Sequence, residues 1–183
     1  MDRDVSEMTA EDVIEFVQLL NKNRIHVILD GGWGVDALLE TQTRKHEDLD
    51  IAVEHKDASK IRALLEARNY RDVPRDDTTE SNFVLGDEGG HLIDFHTFTF
   101  DPAGKIVFGV PYPFESLTGS GRISGIQVNC ITPEWMVKFH TGYKLDGNDY
   151  HDVKLLCQKF GFDLPAEYEE FELMERKENN KNS

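Results

Sequence analysis

Residues 26–51 read HVILDGGWGVDALLETQTRKHEDLDI, and the fold turns on how that stretch divides. The apolar run His26 to Leu29 predicts a buried strand that stops at Asp30-Gly31-Gly32, after which Trp33 to Glu40 begin a helix. Asp48 to Val53 predict a second strand. Alternate side chains of a strand share a face, so Asp48 and Asp50 point one way while Leu49 and Ile51 point into the core. Two unit charges about 4 Å apart repel by roughly 4 kcal/mol at an effective dielectric near 20, so the pair calls for a cation. Magnesium, which takes oxygen ligands together with substrate phosphates, meets that need.

Upstream, residues 9–22 predict a helix with Thr9 and Asp12 in a capping box and Val13, Phe16, Val17 and Leu20 on one face. Downstream, Asp57 to Ala67 predict a helix, and short β segments follow at Asn82–Leu85, His91–Phe98, Lys105–Val110 and Ile126–Ile131, with a hairpin turn at Asp87-Glu88-Gly89-Gly90. Asp94 lies on one of these strands with Ile93 and Phe95 on the opposite face, and a lone carboxylate in an apolar strand demands a partner. If that strand lies beside the one carrying Asp48 and Asp50, three carboxylates converge, the minimum set for two-metal phosphoryl or nucleotidyl transfer. A solvated sheet face is the simpler reading of the D-x-D taken alone. The Gly31-Gly32 turn shifts the balance, because backbone amides between a strand and a helix approach a phosphate closely and the helix adds partial positive charge.

The final third is helical: Thr132-Pro133-Glu134 opens a helix bearing Trp135, Met136 and Phe139, and two more are expected at Asp149–Lys159 and Pro165–Arg176. The chain therefore divides into an α/β core over residues 1–131 with the metal and nucleotide site, a helical part over 132–176 contributing to the substrate pocket, and a flexible polar tail over 177–183.

Composition narrows the partners. The 183 residues carry 35 Asp and Glu against 20 Lys and Arg, a formal net charge of −15. That excess repels phosphate backbones and anionic lipid, which excludes nucleic acid and a membrane surface as main partners and leaves cationic small molecules and metal ions. No apolar run reaches the roughly 18–20 residues of a membrane helix, and the acidic MDRDVSEMTAED start is unlike a signal peptide. Cys130 and Cys157, the only cysteines, read as reduced thiols, so a cytoplasmic location is expected.

The order Gly31-Gly32, then Asp48 and Asp50, then Asp94 resembles the DNA polymerase beta nucleotidyltransferase superfamily. DGGWGVDALL and TRKHEDLDI are most similar to the small antibiotic nucleotidyltransferases of the lincosamide and aminoglycoside groups, and LIDFH and FHTGYKLDGNDYHDVKLL extend the likeness to the lincosamide group over about residues 25–157. The resemblance implies an α+β fold, a mixed β-sheet flanked by helices with a helical C-terminal part. It implies two Mg²⁺ ions held by Asp48, Asp50 and Asp94, with Asp94 also as general base, and ATP as donor with its triphosphate on Gly31 and Gly32. Arg44, His46 and Lys154 are the candidate phosphate-binding cations, and Asp36 braces the turn. His151 and Asp152 are candidates for the acceptor pocket, as are Tyr112, Phe114, Trp135 and Tyr143, while core packing or capping suffices for His140. The implied activity is transfer of AMP to a hydroxyl of a small cationic antibiotic by a monomer or homodimer. A lincosamide is the first choice of acceptor and an aminoglycoside the second; a nucleotide-binding or protein-modifying protein of the same fold is a further alternative.

Overall fold

The computed structural model of the chain describes residues 6–181, so the first five residues of the acidic start and the last two of the expected tail lie outside it. Thr9 caps helix α1 (Ala10–Lys22) through the capping box with Asp12, and Val13, Phe16, Val17 and Leu20 are buried along one side. Strand β1 (Val27–Leu29) runs into helix α2 (Gly31–Leu39), and strand β2 (Asp48–Glu54) into helix α3 (Ala58–Glu66). Five strands follow: β3 (Arg71–Asp72), β4 (Asn82–Gly86), β5 (Leu92–Phe100), β6 (Ile106–Gly109) and β7 (Gly119–Ile123). Strand β8 (Ile126–Cys130) leads into helices α4 (Pro133–Phe139), α5 (Gly147–Phe160) and α6 (Glu169–Lys181).

All eight strands form one mixed sheet in the order β3-β4-β5-β2-β1-β8-β7, with β6 paired to the far part of β5. The β2–β5 and β1–β8 pairs are parallel and the rest antiparallel. With its flanking helices this is the expected α+β architecture, a mixed sheet with helices gathered at the C-terminal end. Period-two alternation splits the sheet's faces. Leu49, Ile51, Ile93 and Phe95 are essentially inaccessible, and Phe95 stacks on Phe83 at 4.9 Å and meets the edge of Phe16 at 6.5 Å. The other face of β2 and β5 carries Asp48, Asp50, Asp94 and His96.

Beyond the short edge strand β3, which no sequence pattern announced, three elements depart from expectation. Helix α2 begins at Gly31, not Trp33, because Asp30 is its cap and accepts from the Gly31 N–H. Strand β7, of sequence GSGRI, lies outside the β segments expected from the sequence. Its glycines answer to packing: a Cβ on Gly121 would stand 2.3 Å from the Ala37 carbonyl oxygen of α2, and one on Gly119 would stand 2.5 Å from that of Cys130. Helix α6 continues to Lys181, beyond the expected end at Arg176, and docks on α5 through Phe171 stacked against Tyr150. Among the described residues no helix is long and apolar enough to cross a membrane.

Candidate active site

The parallel ladder between β2 and β5 sets Asp50 directly opposite Asp94 and Ala52 opposite His96, with Asp48 one step along. Ligand atoms of Asp50, Asp94 and His96 all lie within 4.8 Å of one another. Asp48 stands outside this tight group, although its charge acts on both Asp50 and Asp94. Burial first, and then the charges of Asp48, Asp94 and Asp30, push the Asp50 carboxyl well above the usual carboxylate range. Burial also raises Asp94, against the pull of His96 and Arg75; an Arg75 guanidinium nitrogen lies 3.2 Å from Asp94 Oδ2. Asp94 Oδ1 is buried without a hydrogen-bond partner among the described residues. Crowded carboxylates with a free acceptor oxygen fit a hard divalent cation.

Helix α2 aims its N-terminus at this cluster. Gly31 has φ +52°, and a Cβ there would lie 2.1 Å from Asp50 Oδ2, so only glycine lets the helix start this close. At Gly32 a Cβ would lie 2.5 Å from both a terminal Arg44 nitrogen and His46 Nδ1. Asp30, buried at the helix cap, also accepts from the Tyr112 hydroxyl at 2.7 Å. Two cavities meet here, sharing Asp30, His96 and Phe139. One of about 310 Å³ takes in Gly31, Gly32, Arg44 and Asp50; the other, about 270 Å³ and mainly apolar, takes in Val110, Pro111 and Tyr112. A larger space of about 510 Å³ at the Asp87–Gly90 hairpin lacks any such convergence of carboxylates with a helix N-terminus.

The sequence matches the aminoglycoside-2''-adenylyltransferase family over residues 12–156. The chain belongs to that family. A lincosamide resistance protein from Staphylococcus haemolyticus is 28% identical over 156 residues, covering 82% of this chain and 96% of the relative. The lincomycin-bound crystal structure of the lincosamide antibiotic adenylyltransferase LnuA superposes with a TM-score of 0.72 at 25% identity, covering 82% of this chain and 98% of LnuA. The solution structure of the antibiotic-resistance factor ANT(2'')-Ia shares the fold, with a TM-score of 0.69 at 18% identity over 94% of this chain and 95% of its own. Family membership makes the chain a nucleotidyltransferase.

Within this adenylyltransferase-family site the expected cations separate. Arg44 lines the cavity beside Gly31 and Gly32 but is held from behind: its Nε and a terminal nitrogen donate to Asp152 at 2.7–3.2 Å, tying the segment before β2 to α5. His46 does not reach the cavity. It is buried, its Nε2 is 2.5 Å from Asp36 Oδ2, and its ring is 4.6 Å from Trp33. Asp36, which also receives the Thr43 N–H and hydroxyl, needs those partners because it is itself buried. Lys154 is not brought to the carboxylates either; Glu175 of α6 holds it at 2.5–2.6 Å.

Among the acceptor candidates, Tyr112 is core-buried beneath Phe139, Phe114 packs on Phe100, Trp135 packs on Phe139, and Tyr143 borders the first cavity while donating to Asp149. His140 borders the same cavity, with its Nδ1 2.8 Å from the Met136 carbonyl oxygen. Sequence reading missed Asp30, Arg75 and His96. Asp30 and His96 had signals: an Asp immediately before a glycine-started helix is a cap, and His96 sits two residues after Asp94 and so shares its face.

Proposed function

We propose that this nucleotidyltransferase moves the adenylyl group of ATP to a hydroxyl of a lincosamide and releases pyrophosphate. The observation that carries the reading is the placement of Asp50 opposite Asp94 beside the N-terminus of α2. Asp48, Asp50 and Asp94 would hold two Mg²⁺ ions, which when bound neutralise the phosphates and the developing charge. Gly31 and Gly32 leave room for the triphosphate at the positive end of α2, the Gly31 N–H itself being held by Asp30, and Arg44 adds a fixed guanidinium. Asp94 accepts the hydroxyl proton as the acceptor oxygen bonds to the α-phosphorus and the bond from that phosphorus to the pyrophosphate oxygen breaks. The apolar cavity beside His96 and Phe139 gives the antibiotic's ring a wall close to that point.

The similarity to a lincosamide resistance protein supports a lincosamide as acceptor, and the family match supports an aminoglycoside as the second reading. Two free, buried cysteines and the need for ATP support a cytoplasmic enzyme, which we read as a monomer or homodimer. Incubation with ATP, magnesium and lincomycin is expected to yield an adenylylated product by mass and stoichiometric pyrophosphate. Modification of tobramycin or kanamycin with lincomycin untouched would replace the acceptor, and ATP left intact with every antibiotic would end the proposal. Asp94→Asn is expected to retain the fold and lose transfer by about 10²–10⁴-fold; near-normal turnover would remove Asp94 from the role of base.

A further inference from the structure

His96 has no role in the reaction drawn above, yet it is placed inside it. Its Nε2 lies 3.7 Å from Asp94 Oδ1, too far for a hydrogen bond, and that oxygen has no other partner. Its Nδ1 is buried and, like that oxygen, unpartnered among the described residues. Across the β4–β5 ladder its register partner is Asn82, whose Oδ1 is a third buried atom without a hydrogen bond. Buried polar atoms are rarely left unpaired, and three of them here fall on neighbouring residues of two paired strands.

We infer that His96 is a protein ligand, through Nε2, to a divalent metal held between Asp50 and Asp94, with its Nδ1–H donated to Asn82 Oδ1. Ligand atoms about 2.1 Å from one ion lie roughly 3–4 Å from each other. The 3.7 Å gap and the 4.8 Å envelope of the three residues therefore need only small side-chain shifts to close on an ion. A metal-bound histidine ordinarily donates its other ring N–H to a carbonyl or carboxylate oxygen, which fixes the ring, and Asn82, the register partner of His96, carries such an oxygen without a hydrogen bond among the described residues. Ala52, opposite His96 on the other side, adds no bulk to compete with the ring.

A mixed oxygen and nitrogen donor set has a chemical consequence. Magnesium favours oxygen ligands, whereas imidazole strengthens binding of later divalent ions, so this position selects Mn²⁺ over Mg²⁺ relative to a site of carboxylates alone. The assignment rests on the nucleotidyltransferase reading of the same site but concerns metal binding and is measured without turnover.

The test uses the full chain and Mn²⁺ alone, then Mn²⁺ with inorganic tripolyphosphate, which contains no nitrogen. Pulsed electron paramagnetic resonance of the wild type is expected to show histidine nitrogen coupled to bound Mn²⁺, with frequencies that change when the histidines carry the heavy nitrogen isotope. His96→Gln is expected to keep Mn²⁺ on the aspartates, lose the coupling, and lower the ratio of Mn²⁺ to Mg²⁺ affinity about tenfold; Asn82→Ala should weaken Mn²⁺ binding by about tenfold. Bound Mn²⁺ without histidine coupling in the wild type, or coupling that survives in His96→Gln, overturns the assignment and leaves the proposed function standing. Failure of the wild type to bind any divalent ion, with or without tripolyphosphate, overturns both. Should His96→Gln fail to fold, the wild-type spectrum decides alone.

Discussion

At Gly31 a positive φ of +52° and the close approach of Asp50 act on the same residue, and they separate on substitution. An alanine at positive φ costs about 1–2 kcal/mol wherever it stands. Gly104, at φ +79° with nothing within 4 Å of an added Cβ, would suffer that strain alone. At Gly31 the new methyl must also drive the Asp50 carboxylate aside, because Asp50 Cβ and Cγ as well as Oδ2 lie within 3.0 Å. Gly104→Ala is therefore expected to lower the melting temperature by a few degrees with unchanged kcat, whereas Gly31→Ala loses metal affinity and most of its turnover. Equal turnover in the two variants would show that Asp50 moves freely. A second residue-scale test concerns Cys130, whose thiol burial pushes up to about 12. At pH 8 the thiolate fraction is on the order of one in ten thousand, so Cys130 should resist alkylation in the native protein and react on unfolding. Rapid labelling of Cys130 at pH 8 without unfolding would contradict its burial.

At the scale of elements, the Arg44–Asp152 pair joins the segment before β2 to α5. Asp152 is buried while Arg44 keeps 23% of its side-chain exposure, so truncation leaves a guanidinium that water partly rescues. Asp152→Ala is expected to destabilise by about 2–3 kcal/mol, the lower end of what breaking a buried pair costs. Because Arg44 also borders the cavity proposed to hold the nucleotide, the KM for ATP should rise as well. Denaturant unfolding and ATP-dependence measurements check the two effects separately, and a stability loss with an unmoved KM would make the pair purely structural. The elements differ in how far the sequence discloses them. Helix α1, strand β2 and the carboxylate face were legible because periodicity and capping are local, and Leu49, Ile51, Ile93 and Phe95 all fall on the expected side. Strand β7 was not, since GSGRI is turn-like until α2 is seen lying against it. The pairing of Lys154 was hidden for a similar reason: its partner Glu175 lies 21 residues on, across a helix pair that only the fold brings together. His96 needed the register of three strands, β2, β5 and β4, before its ring could be set against both Asp94 and Asn82.

Over the whole molecule, the net charge of −15 acts at two ranges. Near the site, Asp30, Asp48, Asp50 and Asp94 are opposed by Arg75 and Arg44 and, in the proposed working state, by metal, so their field is largely consumed locally. The outer excess is different: Glu169 and Glu170 of α6 are exposed, and neither makes an ion pair within 4.0 Å among the described residues. Charges of that kind concentrate a cationic acceptor around the protein without contacting it. Their reach is set by the Debye length, about 10 Å at 0.1 M salt and about 3 Å at 1 M. Raising monovalent salt from about 0.05 to 0.5 M is therefore expected to lower kcat/KM for a protonated lincosamide several-fold while kcat holds, because the chemical step lies inside the screened site. An acceptor whose amine is blocked as a neutral amide should show a flat profile over the same range. Replacing Glu169 and Glu170 with lysine should flatten the profile of the cationic acceptor without changing kcat. If the neutral and cationic acceptors fall together with salt, the acidic surface serves solubility and the site selects its substrate by contact alone.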